Sequence, residues 1–193
     1  SVLRRLHAVS AAAGAVPEVR GTLLESGMPY ADYARNFAQI QRYIHDGDCY
    51  QVNFSQRFKA RIECDAWTLY QRMRLENPAP YGALLEYPFG QLLSSSPEQF
   101  LSLRHGRAQT RPIKGTRPRG GSAIQDLALR AQLLSSEKDR AENLMIVDLL
   151  RNDLGRVCEP GSIEVPDLFR VESFATVHHL VSTVTGRLRA GQD

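Results

Sequence analysis

Apolar positions along the chain follow two rhythms, and each predicts a different element. Tyr33, Phe37, Ile40 and Ile44 recur at helical spacing, which predicts a helix with Asp32 as its N-cap and a stop near Gly47. The rhythm then changes: Tyr50, Val52, Phe54, Phe58, Ala60 and Ile62 occupy even positions, as in a long strand with one buried face, Gln56 being the exception. Asp65 stands where it can cap a short helix carrying Trp67, Leu69, Tyr70 and Met73, which Asn77-Pro78 ends. Two hairpins follow, 83–87 turning through Pro88-Phe89-Gly90 into 91–95, and 100–104 turning through His105-Gly106 into 107–113. Helices are predicted over 122–134 and 136–152, and strands over 163–165 and 180–188. Hairpins mixed with separate helices, without regular βαβ alternation, define an α+β class with mainly antiparallel sheets and flanking helices. Residues 1–28 show no strong period and read as a connector, leaving 29–193 as the folded domain.

Composition narrows this picture. Apolar residues make up 42% of the 193 positions, enough for a hydrophobic core. The net charge of +3 is small and spread out, which argues against a nucleic-acid partner. No apolar run approaches the roughly 20 residues of a membrane helix. Arg4, Arg5, His7 and Glu18 interrupt any signal-peptide core, so a cytoplasmic protein is expected, with no membrane partner. Cys49, Cys64 and Cys158 form no CxxC pair and no zinc spacing, which fits reduced thiols. Among 24 basic residues only Lys59, Lys114 and Lys138 are lysines. Arginine keeps its proton at any usable pH, whereas a lysine can lose it when its surroundings lower its pKa.

Three stretches carry candidate chemistry. In 94–119 the chain places Glu98 beyond one strand and Lys114 at the end of another, followed by Gly115 and Thr116. A neutral lysine amine is a strong nucleophile, a glutamate can move a proton, glycine allows close backbone approach, and threonine offers a hydroxyl. Solvated surface residues remain the competing reading, and the GxxxxGK[ST] phosphate loop is absent. In 135–158, Asp139 and Glu142 are three apart on a helix and share a face. Their oxygens suit Mg²⁺, although on local grounds an exposed acidic pair near a helix N-terminus is the favoured reading. Third, the adjacent His178 and His179 enter a strand, whose alternation puts them on opposite faces, so only one reaches a given cleft. The 117–121 loop is basic and reads as solvated or substrate-facing.

The segments GDCYQVNFSQRF, PIKGTRPRG, DRAENLMIVDLLRNDLGRVC and VHHLVS together resemble the chorismate-binding enzymes, from about Tyr33 to Leu188. The resemblance implies that family's α/β sandwich, truncated at both ends. Residues 1–28 would then come from the junction with a missing N-terminal lobe, and 29–193 would form the first half of the catalytic domain. It also implies roles. Glu142 would bind the Mg²⁺ that holds the ring carboxylate of chorismate, with Asp139 acting through water. Glu98 would be the acid/base, Gly115 and Thr116 would contact substrate oxygens, and His179 would stand near the ring, while His178 occupies a variable position. Isochorismate- and salicylate-forming members carry a water-activating lysine where this chain has Gln51, so water addition is disfavoured. Anthranilate-forming members read PIAGT where this chain reads PIKGT. Lys114 is what the C4-aminating branch uses as a covalent nucleophile, with ammonia from a glutamine amidotransferase subunit. The family's further Mg²⁺-binding glutamates and glycine-rich substrate loops have no counterpart here, so this stretch alone is expected to be inactive. An anthranilate-forming enzyme with an atypical lysine, and a non-catalytic fragment or binding module, stand as alternatives.

Overall fold

A computed structural model describes residues 18–192, the side chain of Leu24 excepted, as two compact units that divide in sequence between Arg72 and Met73. In the first, strand β1 (Gly21–Ser26) pairs antiparallel with β2 (Phe58–Ile62), and helix α1 (Tyr30–His45) lies between them in sequence. Residues 1–17 of the expected connector fall outside the described residues, and part of the remainder is β1 itself. Helix α1 starts earlier than its apolar period indicates. Pro29 occupies the N-cap position with extended backbone, and Asp32, expected as the cap, sits in the first turn paired to Arg35 at 2.7 Å. The long strand expected from Tyr50 shrinks to β2, and all five of its residues are exposed. Alternation alone does not make a ladder. Here β1 supplies partners only for 58–62, and Phe54 instead stacks on Tyr33 of α1 at 5.2 Å.

Helix α2 (Ala66–Glu76) is capped as its sequence predicts. The Asp65 carboxylate accepts from the Thr68 N–H at 2.9 Å and from its hydroxyl at 2.8 Å, which holds the carboxyl below its ordinary range.

The second unit opens with the hairpin of β3 (Ala83–Tyr87) and β4 (Gly90–Ser94). Its main sheet comprises β5 (Gln99–Arg104), β6 (Arg107–Arg111), β7 (Ile113–Pro118), β8 (Glu164–Ser173) and β9 (Val177–Arg187). Strand β9 is the axis. Along one edge it pairs with β8, from Thr185 opposite Glu164 to His178 opposite Ser173. The other edge therefore carries both β6, opposite Val184 to Arg187, and β7, opposite Val177 to Val181. Pro112 separates β6 from β7 without ending the ladder, because its carbonyl still accepts from the Ser182 N–H at 3.1 Å. The expected strand 107–113 is thus two strands, broken at the one residue that has no N–H to donate.

Helices α3 (Ala123–Ser135) and α4 (Glu137–Gly155) pack on this sheet, with Ser122 and Ser136 as side-chain caps. The core joins Ala108, Val147, Leu154, Cys158 and Val184, with Leu150, Val157, Ile163, Val165 and Leu188 packed against it. Burial pushes the Cys158 thiol upward in pKa, as for a small hydrophobe. A polar chain crosses the interior: buried Asn143 of α4 donates to the Leu180 carbonyl at 3.2 Å and accepts from the Ser182 hydroxyl at 2.5 Å. That hydroxyl also accepts from the N–H of Phe169 at 3.1 Å, where β8 bulges with φ +60°. Strand β8 runs ten residues, far beyond the expected 163–165, because Pro166, Asp167 and the bulge interrupt its apolar alternation. No helix among the described residues is long and apolar enough to cross a membrane.

Between β7 and α3 the backbone makes its closest approach at Gly120, where a Cβ would lie 2.3 Å from the Asp126 nitrogen. At Gly121 the nearest atom would be the flexible Gln125 Oε1 at 3.4 Å. Gly120→Ala should therefore cost about 1–3 kcal/mol in urea denaturation while Gly121→Ala changes little. Equal effects from the two would contradict this packing.

Candidate active site

The β7–β9 ladder sets the site. Thr116 stands opposite His179, and the register slips between Ile113 and Thr116, where Gly115 has φ +89°. A Cβ on Gly115 would lie 2.8 Å from Asp139 Cβ and 3.0 Å from Leu133 Cδ1, so the start of α4 presses directly on the bulge. Only glycine meets both demands without strain.

Two faces result. On one, the Thr116 hydroxyl and His179 Nδ1 are 2.9 Å apart, and Phe174 packs on the His179 ring at 5.5 Å between centroids. Glu98, just ahead of β5, accepts from the Ile113 N–H at 2.9 Å, which brings its carboxylate to the start of β7, next in line to Lys114. Burial lowers the His179 pKa, outweighing a hydrogen bond with the Gly115 backbone and the charges of Glu98 and Glu172, which favour the proton. A cleft of about 440 Å³ has Asn77, Pro78, Pro97, Phe174, Val177 and His179 in its wall.

The other face is covered by α3 and α4. Arg117 donates to Asp139 Oδ2 at 2.9 Å behind the bulge. Burial raises the Asp139 pKa, yet hydrogen bonds from Ser136 and Arg117, with the charges of Arg117 and Lys138, bring it below its ordinary value. Glu142 faces outward by comparison, its side chain 45% exposed against 12% for Asp139, and it pairs with Lys138 at 3.8 Å. Among the described residues no group of three or more His, Cys, Asp or Glu could hold a metal ion. The hard oxygens of Glu142 suit Mg²⁺, which commonly takes only one or two protein carboxylates.

The structure brings Glu98, Gly115, Thr116 and His179 together, with Lys114 between Ile113 and Gly115 in β7, and the two histidines divide between faces: His178 is fully buried and His179 only partly. Lys114 is half-buried within β7. The basic loop is a different matter. Arg117 is tied to Asp139 and Gln132, and Arg119 makes two bonds to Asp126, at 2.7 and 2.8 Å, so neither is simply solvated. No sequence period links these loop arginines to carboxylates on helices, which is why the pairing was not legible.

The chain belongs to the chorismate-binding enzymes: the family described as chorismate binding enzyme matches residues 9–193. It is 54% identical over 165 residues to aminodeoxychorismate synthase component 1 of Klebsiella aerogenes, covering 86% of this chain and 37% of that protein. It is 47% identical over 167 residues to anthranilate synthase component 1 1 of Haloarcula marismortui, covering 86% of this chain and 34% of that protein. The crystal structure of anthranilate synthase component I from Streptococcus pneumoniae TIGR4 superposes with a TM-score of 0.78 at 29% identity, over 99% of this chain and 43% of that one. The chain spans little more than a third of the length of these two curated relatives. The α+β class expected from the hairpins agrees with this fold.

Because the Asp139 carboxyl is held down in the fold, its contribution to stability is complete above about pH 4 and is lost as the pH falls through the folded value. Arg117→Met should destabilise the protein by about 1–3 kcal/mol at pH 7, with the deficit narrowing towards pH 3 in urea titrations. A deficit independent of pH would assign Arg117 a packing role instead.

Proposed function

We propose that the protein aminates chorismate at C4 to give 4-amino-4-deoxychorismate, the precursor of 4-aminobenzoate in folate synthesis. The observation that carries this reading is the setting of Lys114, between Ile113, whose N–H is held by Glu98, and the Gly115-Thr116 bulge that holds His179. The Lys114 amine attacks the ring through its nitrogen lone pair, the ring double bonds shift, and the 4-hydroxyl departs as water with a proton from Glu98. Ammonia then forms the C4–N bond, the ring double bonds shift back and expel the lysine as its free amine, and the new C4 ammonium returns a proton to Glu98. His179, held neutral by burial, stands beside the ring with Thr116 and Gly115 towards substrate oxygens. Glu142 is the residue that would hold Mg²⁺, which would supply positive charge for the ring carboxylate, and Asp139, whose Oδ2 accepts from Arg117, would act on it only indirectly.

Ammonia comes from a glutamine amidotransferase subunit in this reading, which the words "component 1" in the relatives' names support. The free thiols of Cys49, Cys64 and Cys158 support a cytoplasmic setting. The 47% identity to an anthranilate synthase favours a second reading, anthranilate formation, and overall identity does not decide between them. Lys114 favours the first reading, since the anthranilate-forming pattern has no amine at that position.

Intact-mass spectrometry of the full-length protein with chorismate and Mg²⁺, ammonia withheld, should show a covalent adduct. Lys114→Ala should abolish the adduct and reduce ammonia-dependent turnover on the order of a thousandfold. An unmodified wild type that still turns over would refute the covalent step, and fluorescent anthranilate as the product would select the second reading.

A further inference from the structure

The buried His178 lies on the face of β9 opposite His179, and the reaction above makes no use of it. Its Nδ1 is 2.8 Å from the Ser173 hydroxyl and its Nε2 is 3.0 Å from Asp126 Oδ1. A carboxylate only accepts, so Nε2 donates to Asp126, and Nδ1 shares its hydrogen bond with the Ser173 hydroxyl. Asp126 is itself fixed by two bonds from Arg119 and one from the Gly120 N–H at 2.8 Å, which hold its carboxyl well below the ordinary range. Arg119 also reaches the β8–β9 turn: Nη1 donates to the Phe174 carbonyl at 2.7 Å and its backbone N–H to the Thr176 carbonyl at 3.2 Å. That turn carries Phe174, whose ring packs on His179.

We propose that Asp126, His178 and Arg119 form a positioning cluster that clamps the β8–β9 turn and so orients His179 and Phe174 on the opposite face. None of the three is a catalytic residue in this role. The proposal rests on the chorismate-amination reading for its kinetic consequence, but not for its structural one. The charged groups facing His179 are Glu98 and Glu172, and those facing His178 are Asp126 and, through it, Arg119.

The test uses the full-length protein with labelled histidine, the His179 signal being assigned by its loss in His179→Gln. In His178→Phe the His179 titration midpoint should rise towards the ordinary histidine value of about 6.5. The same variant should lose about tenfold in kcat, with KM for chorismate within about twofold. His178→Gln, which can still donate to Asp126, should recover both. If His178→Phe does not fold, Asp126→Asn carries the same two readouts. Unchanged His179 titration and kcat in a folded variant, with only Tm lowered, would overturn the proposal. A wild type that does not aminate chorismate sinks the functional reading alone, since the His179 titration still decides on positioning.

Discussion

The absence of a side chain at Gly115 governs the arrangement of the site. With φ +89° and Asp139 Cβ placed 2.8 Å from where its own Cβ would be, this residue lets α4 press against a bulged β7. The bulge changes the register between Ile113 and Thr116, and so places Thr116 opposite His179. Glu98 then closes on Ile113 from the segment ahead of β5. A regular strand through 113–116 would turn these side chains to other faces.

Strand β9 separates two kinds of work. Its partly exposed His179 faces Thr116, Glu98 and Phe174, groups that can meet a ligand. Its buried His178, Leu180 and Ser182 face α3 and α4, and the polar atoms there are satisfied by Asp126, Ser173 and Asn143. Buried polar groups left unpaired would be costly, so the paired network on the helix face is a condition for the open face to keep its geometry. Adjacent histidines with opposite duties follow from the two-residue period of a strand.

Much of the fold was legible because caps and turns act locally. Asp65 caps where expected, Ser122 and Ser136 open the helices predicted from them, and the second hairpin turns at His105-Gly106, while the first turns at Pro88-Phe89 with Gly90 already paired to Tyr87. What failed depended on partners distant in sequence. The even-numbered apolar positions from Tyr50 lack a strand to pair with before Phe58, and β8 hides its length behind a proline and a bulge. At the site, the motifs pointed to Lys114, Glu98 and His179, whereas the roles of Arg117, Arg119 and Asp126 arise only when α3 and α4 dock on the sheet.

The most direct measurement is a crystal structure of the full-length protein with chorismate bound and ammonia withheld. The account predicts density joining Lys114 Nζ to the ring, with Thr116 and His179 on the same side of the sheet. Chorismate seated against His179 while Lys114 Nζ points into bulk water would contradict it.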